Sequence, residues 1–159
     1  MAEVLDLRHP DTREIAMAMP RRMSVPTEVV FPAGAYLKGG VEPVADFNAP
    51  QREDGSRPQQ LDKDSGLPLW QVLVFDFDED AGKKDSAVTV KIAARYQPVP
   101  PENKGPLPLT AVGFVGLTAL AYIDDNGARP RIVWSFKAAD ICAPGQEAER
   151  EAELNKAAA

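Results

Sequence analysis

Five runs of this chain carry the alternating or continuously apolar pattern that is typical of β-strands. They cover residues 35–47, 69–77, 87–96, 111–123 and 131–136. The third run alternates most regularly, with one face formed by Val88, Val90 and Ile92 and the other carrying Thr89, Lys91 and Arg95. A period of two predicts a strand with one buried side and one side that faces solvent.

The fifth run also alternates, and it contains one of the two tryptophans. Its apolar side carries Ile132, Trp134 and Phe136, and its other side carries Arg131, Val133, Ser135 and Lys137. Because Trp70 and Trp134 share their faces with apolar residues, we interpret both as core residues.

Glycine and proline set the breaks between these runs. Gly39 and Gly40 predict a bulge or sharp coil inside the first run. Residues 97–110 hold five prolines among fourteen, a composition that cannot continue a strand ladder and predicts a long surface loop. The sequence Asp124-Asp125-Asn126-Gly127 separates the last two runs, and Asn-Gly in that position predicts a β-hairpin.

The pattern as a whole predicts an all-β fold. Short strands, internal glycines and a long loop before the final hairpin favour a small Greek-key barrel of the OB type, with a small β-sandwich as the alternative. The 15 prolines in 159 residues argue against long helices. We predict a flexible leader over residues 1–18, one barrel domain over 19–142, and an Ala/Glu-rich tail over 143–159 that is a short helix or disordered.

Cysteine and histidine are too scarce for several kinds of chemistry. Cys142 is the only cysteine and His9 the only histidine, and His9 lies in the predicted leader. A disulfide framework, a Cys/His zinc site and a Ser-His-Asp or Cys-His catalytic group are therefore not expected in the folded domain. The sequence indicates no cofactor and no metal, and we expect a protein that is not an enzyme.

One motif offers a catalytic alternative. The second run ends in Asp76 and Asp78, and an apolar strand followed by Asp-x-Asp is similar to the nucleophile strand of haloacid-dehalogenase-type phosphotransferases. Such a site needs a parallel βαβ setting. The connection from Asp78 to Ala87 is too short for a crossover helix, so we predict a β-hairpin with a solvated acidic turn.

Charge is spread so that the predicted domain is nearly neutral. The net charge is −6, and residues 19–142 hold 14 basic and 16 acidic groups. Such a domain can carry a local basic face, although the strong positive charge of a dedicated duplex binder is missing. No apolar run reaches the roughly 20 residues that span a bilayer, and no signal peptide is recognisable. We therefore expect a soluble, cytoplasmic protein without a membrane partner.

Basic residues on two of the runs predict a nucleic-acid site. If the third and fifth runs lie side by side, their exposed faces form a basic band of Lys91, Arg95, Arg131 and Lys137. Tyr96 would stack on a base, and Tyr36 and Tyr122 are further stacking candidates. Cationic grooves with aromatic side chains are how OB domains hold single strands. The alternative, which spacing alone favours, is that these are ordinary solvent-facing lysines and arginines on half-buried strands.

Several longer stretches resemble the Pra-type activators. These stretches are MPRRMSVPTEVVFPAGAYLKGGVEPVADF, RPQQLDKDSGLPLWQVLVFDFD, AVTVKIAARYQPVPPE and LTALAYIDDNGARPRIVWSFKAADICAPG. The family is labelled plasmid replication, integration and excision activator, and it occurs in actinobacterial integrative and conjugative elements. The resemblance implies a regulatory accessory protein of a mobile genetic element, and it implies no catalytic residues.

Two hypotheses for the mechanism follow. The order of Gly66-Leu67-Pro68, Val90-Lys91-Ile92, a Pro-rich loop and a final hairpin is similar to filamentous-phage single-strand-binding proteins, which are OB folds. This favours single-stranded DNA as the partner. The alternative is an adaptor or co-regulator that docks a replication or transcription protein through a sheet edge or through residues 97–110. The oligomeric state, and whether translation starts at Met1 or Met19, are left open.

Overall fold

The structure is a computed structural model that describes residues 20–83 and 85–158. The predicted leader therefore lies outside the described residues. Eight strands and two helices follow each other in the order β1 (Arg22–Ser24), α1 (Thr27–Val30), β2 (Ala35–Pro43), β3 (Leu69–Asp76), β4 (Ala87–Ala93), β5 (Leu109–Val115), β6 (Thr118–Asp124), β7 (Arg131–Ala138), β8 (Asp140–Cys142) and α2 (Glu147–Ala158). The all-β prediction is confirmed.

The strands form one curled sheet in the order β1-β6-β7-β4-β3-β2-β5-β8. Neighbouring strands are antiparallel except β4 and β7, which pair in parallel through residues 90–92 and 136–138. The connection between β3 and β4 is an antiparallel hairpin, as predicted for the Asp-x-Asp segment.

The two ends of the sheet are joined by the chain itself. β5 runs into β6 through Gly116, which has a φ of +60°, and β7 runs into β8 through Ala139, whose N–H donates to the Val115 carbonyl at 2.8 Å. β5 pairs with β8 and β6 pairs with β7, and the two antiparallel ladders continue each other without a shift in register. Because β5 also pairs with β2, the sheet curls into the barrel-like shape expected of an OB-type fold.

The core fills the inside of this curled sheet. Val74, Val90 and Ile92 from the central strands are fully buried. One open end is closed by Phe31, just after α1, whose ring lies 6.3 Å from the rings of both Phe114 and Phe136. Apolar burial by these strands and by Phe31 provides the main stabilisation of the fold.

Two glycines in β2 have the predicted effect. Gly39 has a φ of +79°, and the β2–β3 register shifts between Lys38 and Glu42. A side chain at this φ would be strained, so glycine permits the predicted bulge.

Other predictions need correction. Trp134 is 48% exposed, so its assignment to the core is wrong, whereas Trp70 packs against the core and donates its indole N–H to the Ala94 carbonyl at 2.9 Å.

The number of strands also differs from the prediction. The fourth run forms two strands, β5 and β6, because the chain bends at Gly116 between them. The short strands β1 and β8 were not predicted, because three residues carry too little pattern to be recognised.

The tail forms the helix that was one of its two predicted states. α2 has no buried residue, and Arg150 ties it to the barrel by donating to the buried Asp140 carboxylate at 2.6 Å. No helix among the described residues is both long and apolar enough to cross a bilayer.

Candidate nucleic-acid interface

The parallel pairing of β4 and β7 brings two residues of the basic band together. Lys91 lies directly opposite Lys137 in the register of the two strands. The condition on which the basic band was predicted is therefore met, since the third and fifth runs are neighbours in the sheet.

Lys137 is nevertheless committed to other partners. Its ammonium donates to Asp62 Oδ1 at 2.9 Å and to Asp64 Oδ2 at 2.8 Å, and its side chain is only 17% exposed. Burial alone would lower the pKa of Lys137, but the hydrogen bonds to Asp64 and Asp62 outweigh it and raise the pKa. With two carboxylates on one ammonium, this position has no surplus positive charge for a phosphate.

The segment that holds these carboxylates is a turn. Asp62 Oδ2 accepts hydrogen bonds from the backbone N–H and the hydroxyl of Ser65, at 3.1 and 2.7 Å. Burial would raise the pKa of Asp62, but the bonds from Lys137 and Ser65 outweigh it and lower the pKa. The ion pair between Asp62 and Lys137 holds the long β2–β3 connection against β7.

The remaining residues of the predicted site lie at the start of β7 and beyond the end of β4. Arg131, at the start of β7, lies 3.8 Å from Asp124 in an exposed ion pair. Arg95 and Tyr96 follow the far end of β4, and Tyr96 is 77% exposed. Arg95 lies in a bend, two residues after β4 ends at Ala93. The basic band is thus a row of separate charges instead of a cluster.

β4 and β7 separate towards their N-terminal ends, where they leave an open cleft of about 830 Å³. Thr89, Lys91, Tyr122, Arg131 and Trp134 are among the residues that line it. Lys91, Arg131 and Tyr122 reach this cleft from the outer face of the sheet, and Trp134 reaches it from the inner face.

The adjoining outer face of β2 and β3 carries a cluster that the sequence did not reveal. Tyr36 lies opposite Phe75 in the ladder, and the Tyr36 and Phe77 rings meet edge to face with centroids 5.2 Å apart. Phe77 is 55% exposed. We call Tyr36, Phe75 and Phe77 the aromatic platform.

One lysine contacts the aromatic platform, and a second lies farther along the same face. The Lys38 ammonium lies 5.6 Å from the centroid of the Phe75 ring, within the range of a cation–π contact. Lys91 projects from the next strand on the same outer face, opposite Gln71 of β3. Neither lysine forms an ion pair with another described residue.

The sequence concealed this cluster because β3 is apolar on both faces. Alternation is visible in β4, where polar residues mark the outer side, but residues 69–77 are apolar except for Gln71 and Asp76, so no regular alternation marks the two faces. Only the ladder shows that Phe75 faces outwards with Tyr36. The β2–β3 register, which places Tyr36 opposite Phe75, is the information that reveals the cluster, and the sequence does not contain it in a readable form.

The aspartates after β3 act as turn formers. Asp76 accepts a hydrogen bond from the Asp78 N–H at 3.0 Å, and Asp78 accepts one from the Asp80 N–H at 3.0 Å. This is the local side-chain bonding that aspartate provides in turns. Across the described residues, no group of three or more His, Cys, Asp or Glu side chains is placed to hold a metal ion.

A larger cavity, of about 1060 Å³, lies between α1, β5 and α2. Glu28, Glu147 and Glu151 line it. Three carboxylates repel a phosphate backbone, so this cavity is unsuited to nucleic acid.

Comparison with known proteins adds no relative, since no family model, no curated protein and no solved structure matches this chain. The resemblance to the Pra-type activators therefore stays a prediction.

Proposed function

We propose that this protein is a non-enzymatic accessory protein that binds single-stranded DNA on the outer face of β2, β3 and β4. The observation that carries the proposal is the aromatic platform with Lys38 beside it and Lys91 farther along the same outer face. Aromatic rings at a protein surface stack on bases whatever their identity, and lysines on the same face neutralise phosphates. Phe77 is exposed, and Tyr36 and Phe75 are partly buried beside it.

The geometry supports a single strand over a duplex. Bases must be unstacked and turned outwards to reach rings on the face of a sheet, and a single strand offers such bases. The described residues also form no helix-turn-helix and no large basic patch, which duplex binders use to enter the major groove.

The cleft between β4 and β7 extends this surface. Lys91 stands between the aromatic platform and the cleft, and Arg131 lies farther along it. A strand that crosses β3 and β4 would meet Lys38 and then Lys91, whereas Arg131, which pairs with Asp124, lies beyond the cleft on β7. Lys137 is left out of the proposed interface because Asp62 and Asp64 neutralise it.

Acidic residues limit the path of the strand at one end. Asp78, Glu79 and Asp80 follow Phe77 directly, and their charges would repel a phosphate. We therefore propose that the strand turns from the platform towards Lys91, with its bases on the rings.

Fluorescence anisotropy with labelled thymidine oligonucleotides tests the proposal. We expect binding that weakens as the salt concentration rises, because phosphate neutralisation releases counterions. A duplex of the same length should bind less tightly. Equal affinity for the two forms, or no binding of the single strand at low salt, would overturn the proposal.

The role in replication, integration and excision that the Pra-type resemblance implies would fit such an activity. Those processes expose single strands, and a protein that holds them would act without catalytic residues of its own. A transfer assay of the mobile element with a platform variant would connect the binding to that role.

The adaptor alternative is favoured by a different observation. In the Pro-rich loop, Val99 is 81% and Leu107 63% exposed, and such apolar side chains could dock a replication or transcription protein. The sheet offers less for edge pairing, because its terminal strands β1 and β8 have three residues each. A partner that DNA-free protein retains, and that a Val99→Glu variant loses, would support the adaptor.

A further inference from the structure

The C-terminal helix α2 lies beside the aromatic platform. A side chain at Gly113 of β5 would overlap the Glu147 carboxyl group, so the start of α2 rests on the outer face of this strand. Tyr36 of the platform pairs with Ala111 of the same strand. Tyr36 and Gly113 are thus a diagonal pair across the β2–β5 ladder, with Cα atoms about 7–8 Å apart.

The Tyr36 ring leans towards this end of α2. Its Cε2 atom lies 3.2 Å from the position that a Cβ would take at Gly34. Because β2 and β5 are antiparallel, Gly34 lies on the same side of Tyr36 as Gly113 does. Tyr36, Glu147 and Glu151 line one cavity. A base that stacks on Tyr36 would therefore bring its phosphate to within about one Debye length, roughly 10 Å, of two carboxylates.

The two sides of α2 face different surroundings. Glu147 and Glu151 stand one helical turn apart on the side of the platform, and neither forms an ion pair with another described residue. Glu149 and Glu153 are also one turn apart, but they line a cavity on the other side of α2, next to the Pro-rich loop. The helix thus presents two unpaired negative charges to the platform.

One ion pair is central to the position of α2. The helix has no buried residue, and Arg150 bonds to the buried Asp140 carboxylate at 2.6 Å. Gly145, two residues before the helix, has a φ of +83° and open space where a side chain would lie. A helix that is polar on all sides gains little from burial, so loss of the Arg150–Asp140 pair would free it to swing about this glycine.

We infer that α2 restrains single-strand binding, because Glu147 and Glu151 repel phosphates from the Tyr36 side of the aromatic platform. The inference rests on the proposed function. While α2 is seated, its carboxylates direct the strand away from β5 and across β3 and β4. When the Arg150–Asp140 pair is broken, these carboxylates leave the platform and the site gains affinity. α2 is thus an inhibitory element built into the fold.

Two charge-removing variants of the full chain test the role of the carboxylates. Glu147→Gln combined with Glu151→Gln should bind a labelled thymidine oligonucleotide about threefold more tightly than the wild type at low salt. Glu149→Gln combined with Glu153→Gln removes the same charge from the other side of α2, and this matched control should gain less. The difference should shrink as salt is added, because the Debye length falls from about 30 Å at 0.01 M to about 8 Å at 0.15 M.

Arg150→Gln tests the release of α2 with an effect of opposite sign. The loss of a positive charge would by itself weaken the binding of a phosphate backbone, whereas release of the helix should strengthen it, by about threefold at low salt. Hydrogen exchange should become faster in α2. Arg150→Gln combined with Asp140→Asn leaves no buried carboxylate unpaired, so it should show the same gain even if the single variant is too unstable to measure.

The outcomes separate this inference from the proposed binding site. Equal gains in the two double glutamate variants, or released chains that bind no more tightly than the wild type, would overturn the inference and leave the site intact. No binding by any of these chains would overturn the site, and the inference with it.

Discussion

Lys91 and Lys137 lie opposite each other across the parallel pair β4–β7, yet only one of them is available to a ligand. Lys137 is held by Asp62 and Asp64, whereas Lys91 projects from the outer face of β4 and lines the open cleft. Two lysines that are paired across neighbouring strands thus have different surroundings. We assign Lys137 to the stability of the barrel and Lys91 to binding.

The first prediction concerns stability. Lys137→Met would leave the buried Asp62 carboxylate without its cation, and we expect a loss of about 2 kcal/mol in the free energy of unfolding at neutral pH. Urea denaturation measures it. Lys91→Met is the matched control on the neighbouring strand and should change the unfolding free energy by less than about 0.5 kcal/mol.

The same pair predicts a pH dependence with a defined sign. The pKa of Asp62 is lowered from 3.8, so its contribution is complete above pH 3.8 and is lost as the pH falls through the lowered pKa. The pKa of Lys137 is raised from 10.5, so its contribution is complete below pH 10.5 and is lost as the pH rises through the raised pKa. A plot of unfolding free energy against pH should be flatter at both ends for Lys137→Met. An unchanged profile would contradict the assignment.

The aromatic platform predicts a specific loss of affinity. Phe75→Ala removes one stacking ring and the cation–π partner of Lys38, and should weaken single-strand binding by about 1–3 kcal/mol. Phe47 is a good control, because it is 78% exposed and has its own cation partner, Arg57, at 5.4 Å. Phe47→Ala should bind like the wild type. Equal losses in the two variants would show that binding does not depend on this platform.

Salt dependence separates the lysines from the rings. Each phosphate contact contributes about 0.7 to the slope of log affinity against log salt for a single strand. Lys38→Ala combined with Lys91→Ala should therefore reduce the slope by about 1.4, whereas Phe75→Ala should lower the affinity at every salt concentration and leave the slope unchanged. Anisotropy titrations at four salt concentrations measure both quantities. A slope that the double variant leaves unaltered would remove these lysines from the interface.

The buried hydroxyl of Thr27 is expected to stabilise the fold. Its hydroxyl donates to the Phe114 carbonyl at 3.3 Å and accepts from the Phe114 N–H at 3.0 Å, in a buried position. Thr27→Val keeps the shape but leaves both backbone groups without a partner, so we expect a loss of about 1–3 kcal/mol. Thr27→Ser should retain most of the stability, as thermal unfolding followed by circular dichroism would show.

We expect the thiol of Cys142 to react slowly in the folded protein. Burial, with Glu147 and Asp140 nearby, raises the pKa of the thiol to about 11, and little thiolate is present at pH 8. A disulfide reagent should react slowly with folded protein and quickly in urea. Fast modification of the folded protein would contradict the buried position of this residue.

The sequence predicted those features of the fold that depend on local pattern. Alternation located β4 and assigned Val90 and Ile92 to the core, Asn126-Gly127 located the final hairpin, and Gly39 located the bulge. In each case the signal lies within a few residues of the structure that it specifies.

Features that depend on distant parts of the chain could not be predicted. Alternation placed Trp134 on the inner face of β7, but it could not show that the hairpin extends past the core that would cover it. Lys137 looked like a solvent-facing lysine because its partner Asp62 lies 75 positions away. The aromatic platform depends on the register of β2 and β3, which only the folded sheet defines.

The most direct test of the central claim is an NMR titration of ¹⁵N-labelled protein with a short thymidine oligonucleotide at low salt. We predict that amide signals shift along β2, β3 and β4, above all at Tyr36, Lys38, Phe75, Phe77 and Lys91, while the signals around Phe47 and in α2 stay in place. Shifts confined to the Pro-rich loop, or a spectrum that the oligonucleotide leaves unchanged, would contradict single-strand binding on the outer face of the barrel.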